Sequence, residues 1–342
     1  MISARAGWAS RISSAQSIQL VRATAVLACA FGAAVLSWHF FRFLRVFPSA
    51  ALLAVALELP LILVGIVGLR LLRPARPPAL TWSVAAVVWG ATAAVGCALL
   101  ANRGLIGLWA KGAGTRFAAD WSASLSAPLN EELLKLCGVI MIVLAAPAAI
   151  LGPLDGLVFG ALVGLGFQAT ENVTYGLNNI VLSGAISPVR AVTDSFTVRV
   201  GLTALGSHWT MSAIAGAGLG YLVARRRGAE HGSVLPAVAC LLTAMAMHLI
   251  FDAPQTAEVI KVGLNFVIVA VVYLLLTNAY MNRARRALAE RVAAGTISQH
   301  EAAALLSRRR RRRELSRATA AERHQLAAQQ RSHLTEVERE AA

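Results

Sequence analysis

Apolar blocks about twenty residues long recur through the first 280 residues of the chain, and a helix needs about that length to cross roughly 30 Å of hydrocarbon. They fall at about 21–40, 48–72, 80–101, 129–147, 154–177, 208–224, 233–253 and 257–280. In lipid every backbone polar group needs an internal partner, so only helices or closed barrels can span. Period-2 alternation is absent, which selects helices. With 57% hydrophobic and 14% charged residues, the chain reads as an all-α polytopic membrane bundle of about eight transmembrane helices with a soluble, helical, basic C-terminal tail. Four regions follow: a polar leader at 1–20, helices 1–3 with an interfacial segment at 21–127, a membrane core of helices 4–8 at 128–280, and an Arg-rich helical or disordered tail at 281–342. A cleaved signal peptide is the rival reading of the first block, but the apolar run continues past Ala28-Cys29-Ala30 and a retained span is preferred.

Cys29, Cys97, Cys137 and Cys240 each lie within an apolar block and read as small buried hydrophobes. The net charge of +15 is concentrated at the C-terminal end, where residues 283–342 carry 14 Arg against 7 Glu. The run Arg308 to Arg313 has no interleaved aromatic residue to stack on bases, so anionic lipid headgroups are the expected partner and nucleic acid is not. Basic clusters at Arg5 and Arg11, Arg70 to Arg76, Arg225 to Arg227 and the tail fall on one side of an eight-span topology. That side is expected to be cytoplasmic in a multi-pass cell-membrane protein with both termini inside.

Charged side chains inside a bilayer are costly, roughly 2.5 to 3.5 kcal/mol each on insertion scales, so their positions are informative. Glu131, Glu132 and Lys135 open the fourth span, Glu171 lies near the end of the fifth, His208 opens the sixth, and His248 with Asp252 closes the seventh. The topology carries all of them to the opposite face from the basic clusters. His248 and Asp252 are four residues apart and share a helix face. Gly156, Gly160, Gly164, Phe167 and Glu171 form one stripe, and His208, Ser212, Gly216 and Gly220 form another, which permits close helix approach. Lys135 can pair with either glutamate, leaving the other available. Glu58, near the middle of the second span, reads equally as a structural partner or a functional group.

Glu131-Glu132-x-x-Lys135, Phe167-x-x-x-Glu171-Asn172, His208 on a small-residue helix and His248-x-x-x-Asp252 together resemble the motif set of the PrsW family of intramembrane endopeptidases, relatives of type II CAAX prenyl endopeptidases and bacteriocin-processing proteins. The resemblance covers about residues 127–253. CAAX enzymes typically carry His where this chain has Glu171, which fits the PrsW branch better. The resemblance implies proteolysis of a membrane-anchored protein, such as an anti-sigma factor, near the extracytoplasmic face.

Peptide hydrolysis requires an activated water, a base for its proton and donors for the oxyanion. Glu131 or Glu132 is the expected base, with His208 and His248 orienting water or oxyanion and Glu171 and Asp252 fixing their tautomers. Phe167 and Asn172 are supporting residues. A metal-assisted variant would use zinc, held by His208, His248 and Glu171. The chain lacks His-Glu-x-x-His, and the metal-free glutamate route is favoured on sequence. The rival class is a proton-coupled transporter or channel using the same residues as a relay.

Overall fold

The computed structural model describes residues 15–229, 232–254 and 256–341. It is helical, with no strand among the described residues. The membrane part comprises α1 (Ala15–Val46), α2 (Pro48–Leu71), α3 (Leu80–Trp89), α4 (Val95–Ala113), α5 (Thr115–Ala145), α6 (Pro153–Leu182), α7 (Pro188–Phe196), α8 (His208–Arg226), α9 (Val234–Asp252) and α10 (Glu258–Ala293). The tail comprises α11 (Gln299–Leu305), α12 (Arg308–Arg317) and α13 (Ala320–Ala341). Helices α3 and α4 form one rod through a π turn at Gly90–Ala94, whose widened ladder leaves the Ala91 carbonyl to accept from Thr170 Oγ1 at 2.9 Å.

Among the described residues six helices are long and apolar enough to cross a membrane: α1, α2, the α3–α4 rod, α6, α9 and α10. The other two expected spans correspond to α5 and α8. Helix α5 is diluted by Arg116, Asp120, Glu131, Glu132 and Lys135, and α8 by His208, Thr210, Ser212 and its glycines. The chain is a multi-pass membrane protein.

Several boundaries differ from the sequence reading. The interfacial segment expected before residue 128 is helical apart from Gly114, which breaks the chain with φ of 91°. Arg103, Lys111, Arg116 and Asp120 are exposed on helices that run on beyond the apolar stretch, because extending a formed helix is easy. The expected soluble helix after residue 282 continues α10 without a break; the chain turns at Gly295, with φ of 70°. Of the polar leader, residues 1–14, including Arg5 and Arg11, lie outside the described residues, and Ala15 to Leu20 belong to α1.

Helix α6 is the hub, with 94% of its most apolar stretch buried. It packs most extensively on α8, and the two glycine stripes explain how. A Cβ on Gly156 would lie 2.1 Å from the Gly216 carbonyl oxygen, and one on Gly160 would lie 2.0 Å from that of Ser212. Only glycine permits backbones this close.

The basic clusters gather at one end of the bundle. Arg73 at the end of α2 meets Asp155 at the start of α6 at 2.5 Å, Arg22 of α1 donates to the Ala145 carbonyl at 3.1 Å, and Arg227 beyond α8 donates to Pro147. The tail returns to the same end, where Arg76 pairs with Glu338 of α13 at 2.7 Å. Burial holds the Glu338 carboxyl above the usual carboxylate range.

Candidate active site

Helix α5 presents Glu131, Glu132 and Lys135 within two turns. Pro128 removes one backbone hydrogen bond just before them. Trp89 then clamps the following turn: its indole donates to the Leu134 carbonyl at 3.0 Å, and it lies on Gly138, where a Cβ would come within 2.3 Å of the ring. Helix α6 contributes Phe167, Glu171 and Asn172, α8 contributes His208 at its first residue, and α9 contributes His248 and Asp252 near its end. At 1.5 Å per residue, Glu171 is roughly 25 Å from the arginine-rich end of α6.

The seven expected site residues converge. Glu131, Glu132, Lys135, His208 and His248 are each no more than 2% exposed, while the side chains of Glu171 and Asp252 are 16% and 24% exposed and mark the open side. The His208 and His248 rings stand 5.0 Å apart, and Phe167 lies 5.0 Å from His208.

Lys135 resolves the ambiguity between the two glutamates. Its ammonium is 2.6 Å from Glu132 and 3.8 Å from Glu131, and it sits 4.2 Å from the centre of the Phe167 ring. Glu132 also faces His248 Nδ1 at 3.0 Å and accepts from Ser212 Oγ at 3.3 Å, so both of its oxygens are engaged. Glu131 differs: Oε1 accepts from Asn102 Nδ2 at 2.9 Å, and Oε2 is buried with no hydrogen-bond partner among the described residues. A buried carboxylate oxygen left without a donor is costly, which singles out this atom.

The histidines are held by carboxylates. Lys135 Nζ donates to His208 Nδ1 at 3.1 Å, so Nε2 carries the hydrogen and donates to Glu171 Oε2 at 2.7 Å. His248 has Glu132 on Nδ1, while its Nε2 faces Asp252 at 3.4 Å and Glu131 Oε2 at 3.7 Å.

Donor atoms of Glu131, His208 and His248 all lie within 4.8 Å of one another, close enough to share a metal ion. Two His and one carboxylate match the donor set of catalytic zinc sites that keep a fourth position open. Each histidine also has a carboxylate on its other nitrogen, the usual support for such ligands. The partnerless Glu131 Oε2 fits this set. The Lys135 ammonium, 3.1 Å from His208 Nδ1, lies among the same donors, so a cation there requires Lys135 to release His208 Nδ1 and stay on Glu132 alone. Glu171, expected as the third ligand, is instead bound through Oε2 to both His208 and Arg199, and Glu131 stands in the group in its place.

Sequence reading missed two further residues. Arg199, within the π turn Thr197–Leu202, reaches Glu171 at 2.5 Å and Asn172 Oδ1 at 2.7 Å, and it lies 3.8 Å from the centre of the Tyr175 ring. Asn172 in turn donates to Glu58 at 3.2 Å, which gives that buried carboxylate its partner. Asn102 reaches Glu131 from α4. Neither Arg199 nor Asn102 belongs to a local motif; their only signal was a polar residue near the site's end of the bundle.

No curated protein and no solved structure matches the chain. Residues 78–277 match the profile described as PrsW family intramembrane metalloprotease, a region that contains every expected site residue together with Asn102 and Arg199. With more than half of the chain matched and the motif residues converging in a helical membrane bundle, the protein is a membrane protease belonging to the PrsW family.

Proposed function

We propose that an amide bond of a membrane-anchored, anti-sigma-factor-like protein is hydrolysed where Glu131, His208 and His248 converge, near the extracytoplasmic face. The observation that carries this reading is the buried Glu131 Oε2, the one oxygen of the Glu131–Glu132 pair that no donor occupies. Asn102 holds the other oxygen and thereby aims this one. The sidedness is supported by the gathering of basic clusters at the far end, since the positive-inside tendency favours the cytoplasm, with its anionic headgroups, for such an end and for the tail.

Glu131, His208 and His248 would hold a divalent metal, with zinc the best chemical match. When bound, such an ion polarises the scissile carbonyl and acidifies water. The family's description as metalloproteases reverses the preference for a metal-free route. Glu171 fixes the His208 tautomer through Nε2, and Glu132 fixes His248 through Nδ1. Lys135 neutralises Glu132, which keeps that carboxylate in a supporting role. Arg199, 18% exposed beside Glu171, offers a guanidinium at the open side to the oxyanion of the substrate. The second reading keeps the same geometry without a metal: Glu131 Oε2 takes the proton of water directly, favoured by its lack of any competing donor.

Reconstituted enzyme and a single-span substrate test both. Glu131→Gln should lower kcat by about 10²-fold or more under either reading. A chelator should abolish cleavage, zinc should restore it, and metal content should approach one ion per chain; full activity with no bound metal would select the glutamate-only route. Undiminished cleavage by Glu131→Gln would reject the site itself.

A further inference from the structure

The arginine run lies outside the family match, and the active site has no use for it. Helix α12 packs against the segment after α2, and between α12, α13 and that segment lies a cavity of about 760 Å³. Seven arginines line it, one of them Arg76 and six from the tail, and no carboxylate is among the lining residues. Arg76 is paired with Glu338, while Arg308 and Arg311 donate to the Arg73 and Ala75 carbonyls and so pin α12 to the bundle. Arg309, Arg312, Arg313 and Arg331 have no acidic partner among the described residues. The buried Nε of Arg308 also has no acceptor.

The helical register concentrates this charge. Arg309, Arg312, Arg313 and Ser316 share the cavity face, whereas Arg310, Glu314 and Arg317 form a separate stripe that does not line it. Glu314, the helix's one carboxylate, is taken by Gln330 at 2.8 Å. Burial and then neighbouring arginines hold Arg308 and Arg311 below the usual guanidinium range. A space walled by like charges calls for an anion.

The position of the cavity says which anion. Leu71, the last residue of α2, forms part of its wall, and Leu63, Val67 and Leu71 make an exposed apolar stripe leading to it, 65%, 56% and 57% exposed. A ligand seated here would have phosphate among the guanidinium groups and hydrocarbon along α2. We infer that this cavity is a headgroup site for an anionic phospholipid, which staples the folded tail to the membrane core. This is more than the diffuse attraction of a basic tail to a membrane surface, because the site is built from both parts of the molecule.

The test uses the full chain in nanodiscs of phosphatidylcholine, with or without phosphatidylglycerol, reading hydrogen exchange across α12 and α13 and lipid retention by native mass spectrometry. Phosphatidylglycerol should slow exchange of both helices and be retained. Arg309→Gln/Arg313→Gln should lower retention by roughly tenfold. The control Arg310→Gln/Arg317→Gln removes the same charge from the stripe that does not line the cavity and should retain lipid as the parent does. Unchanged exchange in α6 and α8 verifies that the core of each variant is folded. Equal losses in the two double variants would overturn the proposal in favour of general surface charge. Protection by inorganic phosphate at matched ionic strength, or by a short RNA, in phosphatidylcholine discs equal to that by phosphatidylglycerol would overturn it in favour of a soluble anion or nucleic acid. Equal protection in both kinds of disc would show that no anionic lipid is needed.

Discussion

Adjacent glutamates on one turn have opposite surroundings: Glu132 meets Lys135, His248 and Ser212, and Glu131 keeps one oxygen unengaged. A one-residue step turns a side chain by about 100° around a helix, so neighbours in sequence face different helices. Arg199 acts on the site from the other direction, bonding Glu171 and Asn172 together. Its planar fork serves both acceptors, which an ammonium cannot do in the same geometry. Arg199→Lys should therefore reduce kcat by about tenfold to 10²-fold, with a smaller change in KM, while leaving the thermal midpoint near that of the parent. Steady-state kinetics on a fluorogenic single-span substrate measures the split, and a pure KM effect would assign Arg199 to substrate binding alone.

Between elements, the α6–α8 pair sets the position of His208 relative to Glu171, and carbonyl-to-glycine contacts set the pair. Gly160→Ala should destabilise by about 1 to 3 kcal/mol, because its Cβ meets the Ser212 carbonyl and one backbone must move. Gly263→Ala, in α10 with nothing within 4 Å, should be neutral or stabilising by about 0.5 to 1 kcal/mol. Unfolding in detergent compares the two directly. The first should also lower activity, since displacing α8 displaces His208; equal stability of the two variants would show that the close approach is not needed.

At the scale of the whole molecule, the arginine-rich end is held by Arg73, which is 3% exposed, salt-bridged to Asp155 and 4.1 Å from the centre of the Tyr280 ring. It thereby joins α2, α6 and α10. Arg73→Gln leaves Asp155 buried without its cation and should cost about 3 to 5 kcal/mol. Arg190→Gln breaks the exposed Arg190–Asp194 pair, 81% and 64% exposed, and should cost less than about 1 kcal/mol. Thermal unfolding of the two variants tests this ranking, and similar losses would contradict it.

The membrane class, the helical content and the helices that carry Glu131, Glu132, Lys135, Glu171, His208, His248 and Asp252 could all be read along the chain. Hydrocarbon thickness and the cost of intramembrane charge act on local composition, and local composition is what a sequence displays. The paired glycine stripes of α6 and α8 were legible for the same reason, as a repeat of small residues on one helix face. The partners of those charges were not legible. That Asn102 reaches Glu131, that Arg199 reaches Glu171 and that Ser212 takes the second oxygen of Glu132 depend on distances between residues 28 to 80 apart in sequence. Which glutamate Lys135 takes, three or four residues along its own helix, depends on the groups that the packed helices bring up to each. Only packing decides those distances, because hydrogen bonds and ion pairs select among neighbours by ångströms and angles that no spacing along one helix encodes.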